Sequence, residues 1–244
     1  MRSKLPNVGT TIFTEMSQLA GKNDAINLSQ GFPNFEPSER LRELVCHFMN
    51  NGKNQYAPMA GVMPLREQIT FKLKHLYGVE VDPFDEVNVT AGATQAIFTS
   101  IATFIHPGDE VIVIEPAFDC YNPAIELVGG KVISYELTAP DFKVEWEALN
   151  KLISSRTRMI IINTPHNPTG SILEHQDMLN LSRLVKDKNI LVLSDEVYEH
   201  LIYDGAEHCS ILNYPELRKK AIAIFSFGKT FHCTGWKMGY AIMP

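Results

Sequence analysis

Cysteine is sparse in this sequence and widely scattered. Cys46, Cys120, Cys209 and Cys233 form no C-x-x-C pair. That spacing argues against a disulfide framework or a zinc ribbon, so no metal site is expected and a reducing cytoplasm fits best. Positive charge is in deficit, with 22 Lys and Arg against 28 Asp and Glu and a formal net charge of −6. The deficit argues against a nucleic acid or an anionic membrane surface as partner. Long apolar runs are absent. No segment reaches membrane-spanning length, and the opening MRSKLPNVGTTIF holds no stretch resembling the apolar part of a signal peptide. There is no repeat of fixed period and no low-complexity linker.

What is present suits a globular chain. The 244 residues are 45% apolar and 20% charged, enough to bury a core and of a length expected for one large domain or one and a half. The first 35 residues, broken by Gly9, Gly21, Gly31 and Pro33, read as an irregular arm that packs over something else. Helical spacing follows over 37–50 (Leu41, Leu44, Val45, Phe48) and 62–76 (Leu65, Ile69, Leu73, Leu76). After Pro83, β-branched runs alternate with helical stretches. The runs are Val87–Thr90, Val111–Ile114, Lys131–Tyr135, Met159–Asn163, Ile190–Ser194, Ala221–Ser226 and Tyr240–Met243, and helices are expected near 94–105, 121–128, 145–153 and 174–187. Runs such as MIIIN and ILVLSD suit strands covered on both faces. The alternation predicts an α/β fold of three layers, a mostly parallel sheet with helices on both faces.

In such sheets ligands bind beyond the carboxyl ends of the strands. Five of the runs are followed by AGATQ, EPAFDCY, NTPHNPTG, SDEVY and SFGKTFHCTGWK. Any one of these is most simply a polar turn; five together point to one crevice. A lysine just past a buried strand, as Lys229 is, is costly to keep as an ammonium, and a neutral amine is what condenses with an aldehyde. The commoner fate of a lysine is the surface. Gly228-Lys229-Thr230 resembles the end of a phosphate-binding P-loop, but that loop needs glycine where this chain has Ala223. Asp195, following apolar residues, needs a cationic partner if buried, and a protonated pyridine nitrogen is one; as a bland alternative it caps a helix. Tyr198 lies three residues on. Gly92, Ala93, Thr94 and Gln95 open a helix after a strand, where backbone N–H groups favour an anion such as phosphate. Ser226, Thr230 and Lys237 could add donors. The turn Asn163–Gly170, with two prolines, could fix the Asn167 amide. Phe118 could stack on a flat ring or simply pack in the core.

NPTG, SDEVY and SFGKTF…GWK occur in order, with QGFP and QYAPMAG ahead of them. In this the chain resembles the class I/II aminotransferases of fold type I, and within them the branch of kynurenine, methionine and glutamine transaminases. The resemblance runs from about Leu5 to the last residue. It implies pyridoxal 5′-phosphate as cofactor and a homodimer, acting on an L-amino acid and a 2-oxo acid by a ping-pong Schiff-base mechanism. It further implies an N-terminal arm and part of a small domain over 1–45, and a cofactor-binding large domain over 46–244. Lys229 would bind the cofactor aldehyde and then move the substrate proton. Asp195 would pair with the pyridine nitrogen, and Asn167 and Tyr198 would hydrogen-bond the 3-oxygen. Phe118 would stack on the ring. Ala93, Thr94, Ser226 and Lys237 would hold the phosphate, and Tyr56 would reach the phosphate of the neighbouring subunit. Phe13, Gly31 and Asn167 would line the substrate side. Relatives carry a C-terminal small domain whose arginine grips the substrate carboxylate. The sequence stops at Pro244, so that domain is expected to be missing and no residue takes the arginine's role. A carbon–sulfur β-lyase on the same cofactor, and a non-catalytic or truncated module, stay open as alternatives.

Overall fold

A computed structural model of the chain describes residues 2–6, 8–31 and 33–244; Phe32, the third residue of QGFP, lies outside the described residues. The seven apolar runs form seven strands of one sheet: β1 (Val87–Thr90), β2 (Glu110–Glu115), β3 (Lys131–Glu136), β4 (Thr157–Asn163), β5 (Leu191–Asp195), β6 (Ala221–Ser226) and β7 (Gly239–Ile242). Their spatial order is β1-β7-β6-β5-β4-β2-β3. β2 to β6 run parallel, whereas β7 runs antiparallel to both of its neighbours, β1 and β6. The sheet is therefore mixed and mostly parallel.

Nine α-helices are described: α1 (Ile12–Lys22), α2 (Glu39–Asn50), α3 (Met63–Tyr77), α4 (Gly92–Phe104), α5 (Tyr121–Leu127), α6 (Trp146–Asn150), α7 (His175–Val185), α8 (Pro215–Arg218) and α9 (Phe227–Thr230). Successive strand residues face opposite ways, and the two faces fill separate cores. Ile160, Ile162, Val192, Ala223 and Phe225 pack with Ile69 and Leu73 of α3, Leu149 of α6, Met178 and Leu181 of α7 and Leu217 of α8. Met159, Ile161, Leu193, Ile222 and Ile224 pack with Ile97 and Ile101 of α4 and Tyr121 and Ile125 of α5. Continuous burial along β2, β4 and β6 is what a strand covered on both faces requires.

The amino-terminal region differs from its expected form. An eleven-residue helix, α1, replaces an irregular arm; the Thr11 hydroxyl accepts from the Thr14 N–H to start it, and Gly21 falls in its last turn, where a glycine costs little. Neither α1 nor α2 buries a side chain. Among the described residues the first buried side chain is that of Arg66. The expected helix over 145–153 is shorter, ending at Asn150.

Candidate active site

The carboxyl ends of β4, β5 and β6 lie side by side, with Asn163 opposite Asp195 and Asp195 opposite Ile224 in the register. Asp195 ends β5 on the α4–α5 face, by parity with Leu193. It is 3% exposed. Its Oδ2 accepts from the Tyr121 hydroxyl at 2.5 Å and its Oδ1 from the Val197 N–H at 3.3 Å. Among the described residues no cation lies within ion-pairing distance of it. Burial pushes the carboxyl up to about 6; the Tyr121 and Val197 bonds oppose that rise, nearby Glu196 adds to it, and the Lys229 charge opposes it more weakly. The Tyr121 phenol is pushed well up by its own burial and by the acid.

Asn163 ties the next loop to this strand. Its Nδ2 donates to the Asp195 carbonyl at 2.9 Å and its Oδ1 accepts from the Asn167 N–H at 2.7 Å. The Thr164 N–H donates to the same carbonyl at 3.1 Å. The Asn163 side chain thereby ties the Asn167 backbone to that of Asp195, and the loop closes with Gly170 N–H on the His166 carbonyl at 2.8 Å, Gly170 having a left-handed φ of +75°. Tyr198 stands in the turn after β5 and Lys229 on α9 after β6. The Lys229 Nζ lies 5.2 Å from the centre of the Tyr198 ring. Lys229 is exposed, which corrects the expectation of a desolvated amine: α9 turns the side chain out of the sheet and into a cavity mouth.

That cavity has a volume of about 680 Å³, within the range of small-molecule sites. Phe13, Gly31, Phe118, Asn167, Tyr198 and Lys229 line it, together with polar residues of α1 and the segment that follows. Six residues singled out from the sequence thus surround one space. Phe118 stands edge-on to Tyr121, ring centres 5.9 Å apart.

Ala93, Thr94, Ser226 and Lys237 do not line the cavity and gather around the amino terminus of α4. Gly92 starts that helix with a φ of +76°. Ser226 is opposite Gly239 in β7, and Gly239 is opposite Thr90 in β1. A Cβ on Gly239 would lie 2.8 Å from the Ala93 nitrogen and 2.8 Å from the Phe225 carbonyl oxygen, so only glycine lets β7 approach α4 this closely. Lys237, two residues earlier, has its Cα in reach of Gly92 and a left-handed φ of +53°. The Ser226 hydroxyl caps α9 by accepting from the Lys229 N–H at 3.3 Å. Thr230 is occupied, its hydroxyl donating to the Ser226 carbonyl at 3.0 Å. Tyr56 is fully exposed and outside the cavity. Two contributors escaped the sequence: Tyr121, three residues after Phe118, and Asn163. A buried tyrosine needs a partner for its hydroxyl, which is the signal that could have exposed the first.

Residues 23–244 match the family model described as aminotransferase class I and II. The chain belongs to this family. It is 48% identical over 243 residues to the methionine aminotransferase of Escherichia coli strain K12, covering 100% of this chain and 63% of that protein. Kynurenine–oxoglutarate transaminase 1 of Homo sapiens is 33% identical over 254 residues, covering 99% of the chain and 60% of its own length. The crystal structure of YbdL from Escherichia coli, described as identifying a methionine aminotransferase function, superimposes with a TM-score of 0.98 at 48% identity, over 100% of the chain and 64% of that structure. This class I and II aminotransferase chain therefore spans a little under two thirds of the length of these relatives, and within that span its α/β fold is theirs.

Proposed function

We propose that the chain serves a pyridoxal-phosphate-dependent transamination, converting an L-amino acid to its 2-oxo acid in a ping-pong cycle. The observation that carries the proposal is Asp195, a carboxylate 3% exposed, held by a tyrosine hydroxyl and a backbone N–H and lacking an ionic partner among the described residues. A buried carboxylate in that state is costly unless a cation meets it. A protonated pyridine nitrogen is a cation of the right shape, and Lys229 stands across the neighbouring strand end with its amine free to reach an aldehyde. The donor set therefore fits pyridoxal phosphate, the cofactor of this family. When bound, that cofactor supplies an electron-poor ring that stabilises negative charge at the substrate α-carbon.

The chain's own residues have separable tasks. Asp195 would hold a proton on the ring nitrogen. Asn167 and Tyr198 would donate to the phenolic oxygen, and Phe118 would stack on the ring. The α4 amino terminus at Ala93 and Thr94, with the Ser226 hydroxyl and the Lys237 side chain, would hold the phosphate. Lys229 would bind the cofactor aldehyde, and its amine, once free, would carry the proton from the substrate α-carbon to the carbon that bore the aldehyde. Phe13 and Gly31 line the cavity and would favour a long or aromatic side chain, such as that of methionine, kynurenine, glutamine or an aromatic amino acid. Tyr56, fully exposed on its own chain, would reach the phosphate of a second copy in a homodimer, and the enzyme would act in the cytoplasm.

Incubation of the purified protein with pyridoxal phosphate tests the reading. The protein is expected to turn yellow and to transfer amino groups to a 2-oxo acid, and Lys229→Ala is expected to lose both properties. Transamination that survives Lys229→Ala would refute the proposal.

A further inference from the structure

The far face of the site-bearing turn holds a buried charged cluster that the proposed chemistry does not use. Asp195 faces the α4–α5 side, so the next residue, Glu196, points to the α3 side. Its side chain is 0% exposed, and it accepts from the Ser194 hydroxyl at 2.9 Å and the Ile211 N–H at 3.0 Å and lies 2.8 Å from the His208 Nε2. Glu199, 1% exposed, is paired with Lys72 of α3 through Oε1, and its Oε2 accepts from the Tyr77 hydroxyl. Lys72 also donates to the Tyr240 hydroxyl at 2.9 Å and lies 5.1 Å from the centre of the Phe225 ring. Lys72 and Tyr77 of α3 thus close on Glu199 from 127 and 122 positions away in sequence, and Tyr240 of β7 closes on Lys72.

With Glu199 1% and Lys72 23% exposed, an ion pair so largely removed from water seldom stabilises more than well-packed apolar side chains would, so stability alone is a weak account of it. Its position suggests another. Tyr198 lies between Glu196 and Glu199, and among the described residues its hydroxyl has no hydrogen-bond partner. The backbone of its turn is held by the Glu196 N–H to Ile224 carbonyl bond at 2.8 Å, the Glu199 N–H to Glu196 carbonyl bond at 3.0 Å and the Leu201 N–H to Tyr198 carbonyl bond at 2.7 Å.

We propose that Lys72 and Glu199 are positioning residues for Tyr198: their ion pair, closed by Tyr77 and Tyr240, grips the turn from behind the sheet and fixes where the Tyr198 phenol meets the cofactor. This inference rests on the pyridoxal phosphate reading of the site. Removing the grip leaves the site's own side chains untouched and lets the Tyr198 hydroxyl wander from the ring oxygen.

A double-mutant cycle on the full chain tests the idea. Dissociation constants for pyridoxal phosphate and the visible circular dichroism of the bound cofactor are measured for wild type, Lys72→Met, Tyr198→Phe and the double variant. Lys72→Met is expected to weaken binding about tenfold and to move the visible band in the same direction as Tyr198→Phe. In the Tyr198→Phe background, Lys72→Met is expected to change affinity by less than about twofold, because its effect passes through the missing hydroxyl. Glu199→Gln keeps an acceptor for Lys72 and Tyr77 and preserves packing; it is expected to weaken binding about threefold with the same non-additivity, and it decides the question if Lys72→Met fails to fold. Full additivity, or an unchanged visible spectrum in folded variants, overturns the positioning role while leaving the cofactor reading intact. Wild-type protein that binds no pyridoxal phosphate overturns both.

Discussion

Replacing Asp195 by Asn should stabilise the cofactor-free chain near neutral pH while destroying its site. The unfolded carboxyl has its ordinary value of 3.8, and burial raises it to about 6 in the folded chain. A folded group raised in this way contributes stability that is fully present below the unfolded value and lost as pH climbs through the folded one. The whole loss comes to about 3 kcal/mol, of which about 2 kcal/mol falls between roughly pH 4.5 and pH 7.5. Asparagine carries no such titration. It can still accept from Tyr121, but it cannot accept from both Tyr121 and the Val197 N–H, and surrendering the 3.3 Å bond to Val197 costs about 1 kcal/mol at every pH. Asp195→Asn is therefore expected to be close to neutral at the acidic end and about 2 kcal/mol more stable than wild type at the neutral end, roughly 4 to 8 °C in Tm for a chain of this size. Thermal unfolding of both proteins without cofactor, followed by far-ultraviolet circular dichroism at the two pH values, measures this. A variant destabilised equally at both would refute the claim that Asp195 is buried without a counter-charge.

Other expectations follow from the same geometry. Lys229→Ala should leave the fold unchanged, since the side chain is exposed, and eliminate transamination, checked by comparing melting curves with product formation. Gly239→Ala should destabilise the chain by about 3 kcal/mol or more, because the added methyl meets backbone atoms of α4 and β6 that cannot step aside; denaturant titration checks it. Lys237→Met should weaken pyridoxal phosphate binding about tenfold and leave the binding of phosphate-free pyridoxal unchanged, as isothermal titration with both compounds would reveal.

Strand content was legible because the sheet is covered on both sides. MIIIN and ILVLS read as strands since nearly every residue of β4 and β5 is buried. The order of the strands and the reversed direction of β7 were not legible, because both depend on pairings between distant segments that carry no local signal. α1 was overlooked for the opposite reason: none of its side chains is buried, and its Ile12, Met16 and Leu19 spacing lies in a stretch punctuated by glycine and polar residues. At the site, Asn167, Tyr198 and Lys229 were found because each follows an apolar run, where topology gathers ligand-binding groups. Tyr121 and the Lys72–Glu199 pair were missed because their partners are 74 and 127 residues away, and nothing in a single sequence joins them. Burial of Lys229 was expected from its place after β6, but a strand end says little about a side chain carried on the next helical turn.

The reversal of β7 brings the chain back to the same edge of the sheet that β6 has just left. Ser226, Lys229 and Lys237 consequently belong to a single stretch of twelve residues that begins with the last residue of β6 and ends just before β7. Ordering that one connection delivers the amine and the anion-binding groups together, so their mutual spacing is set by local backbone geometry and costs little extra chain entropy. The aromatic cover and the acid, by contrast, arrive from separate crossovers, and misfolding of either would leave a lysine and its anion cradle assembled beside an unfinished ring pocket.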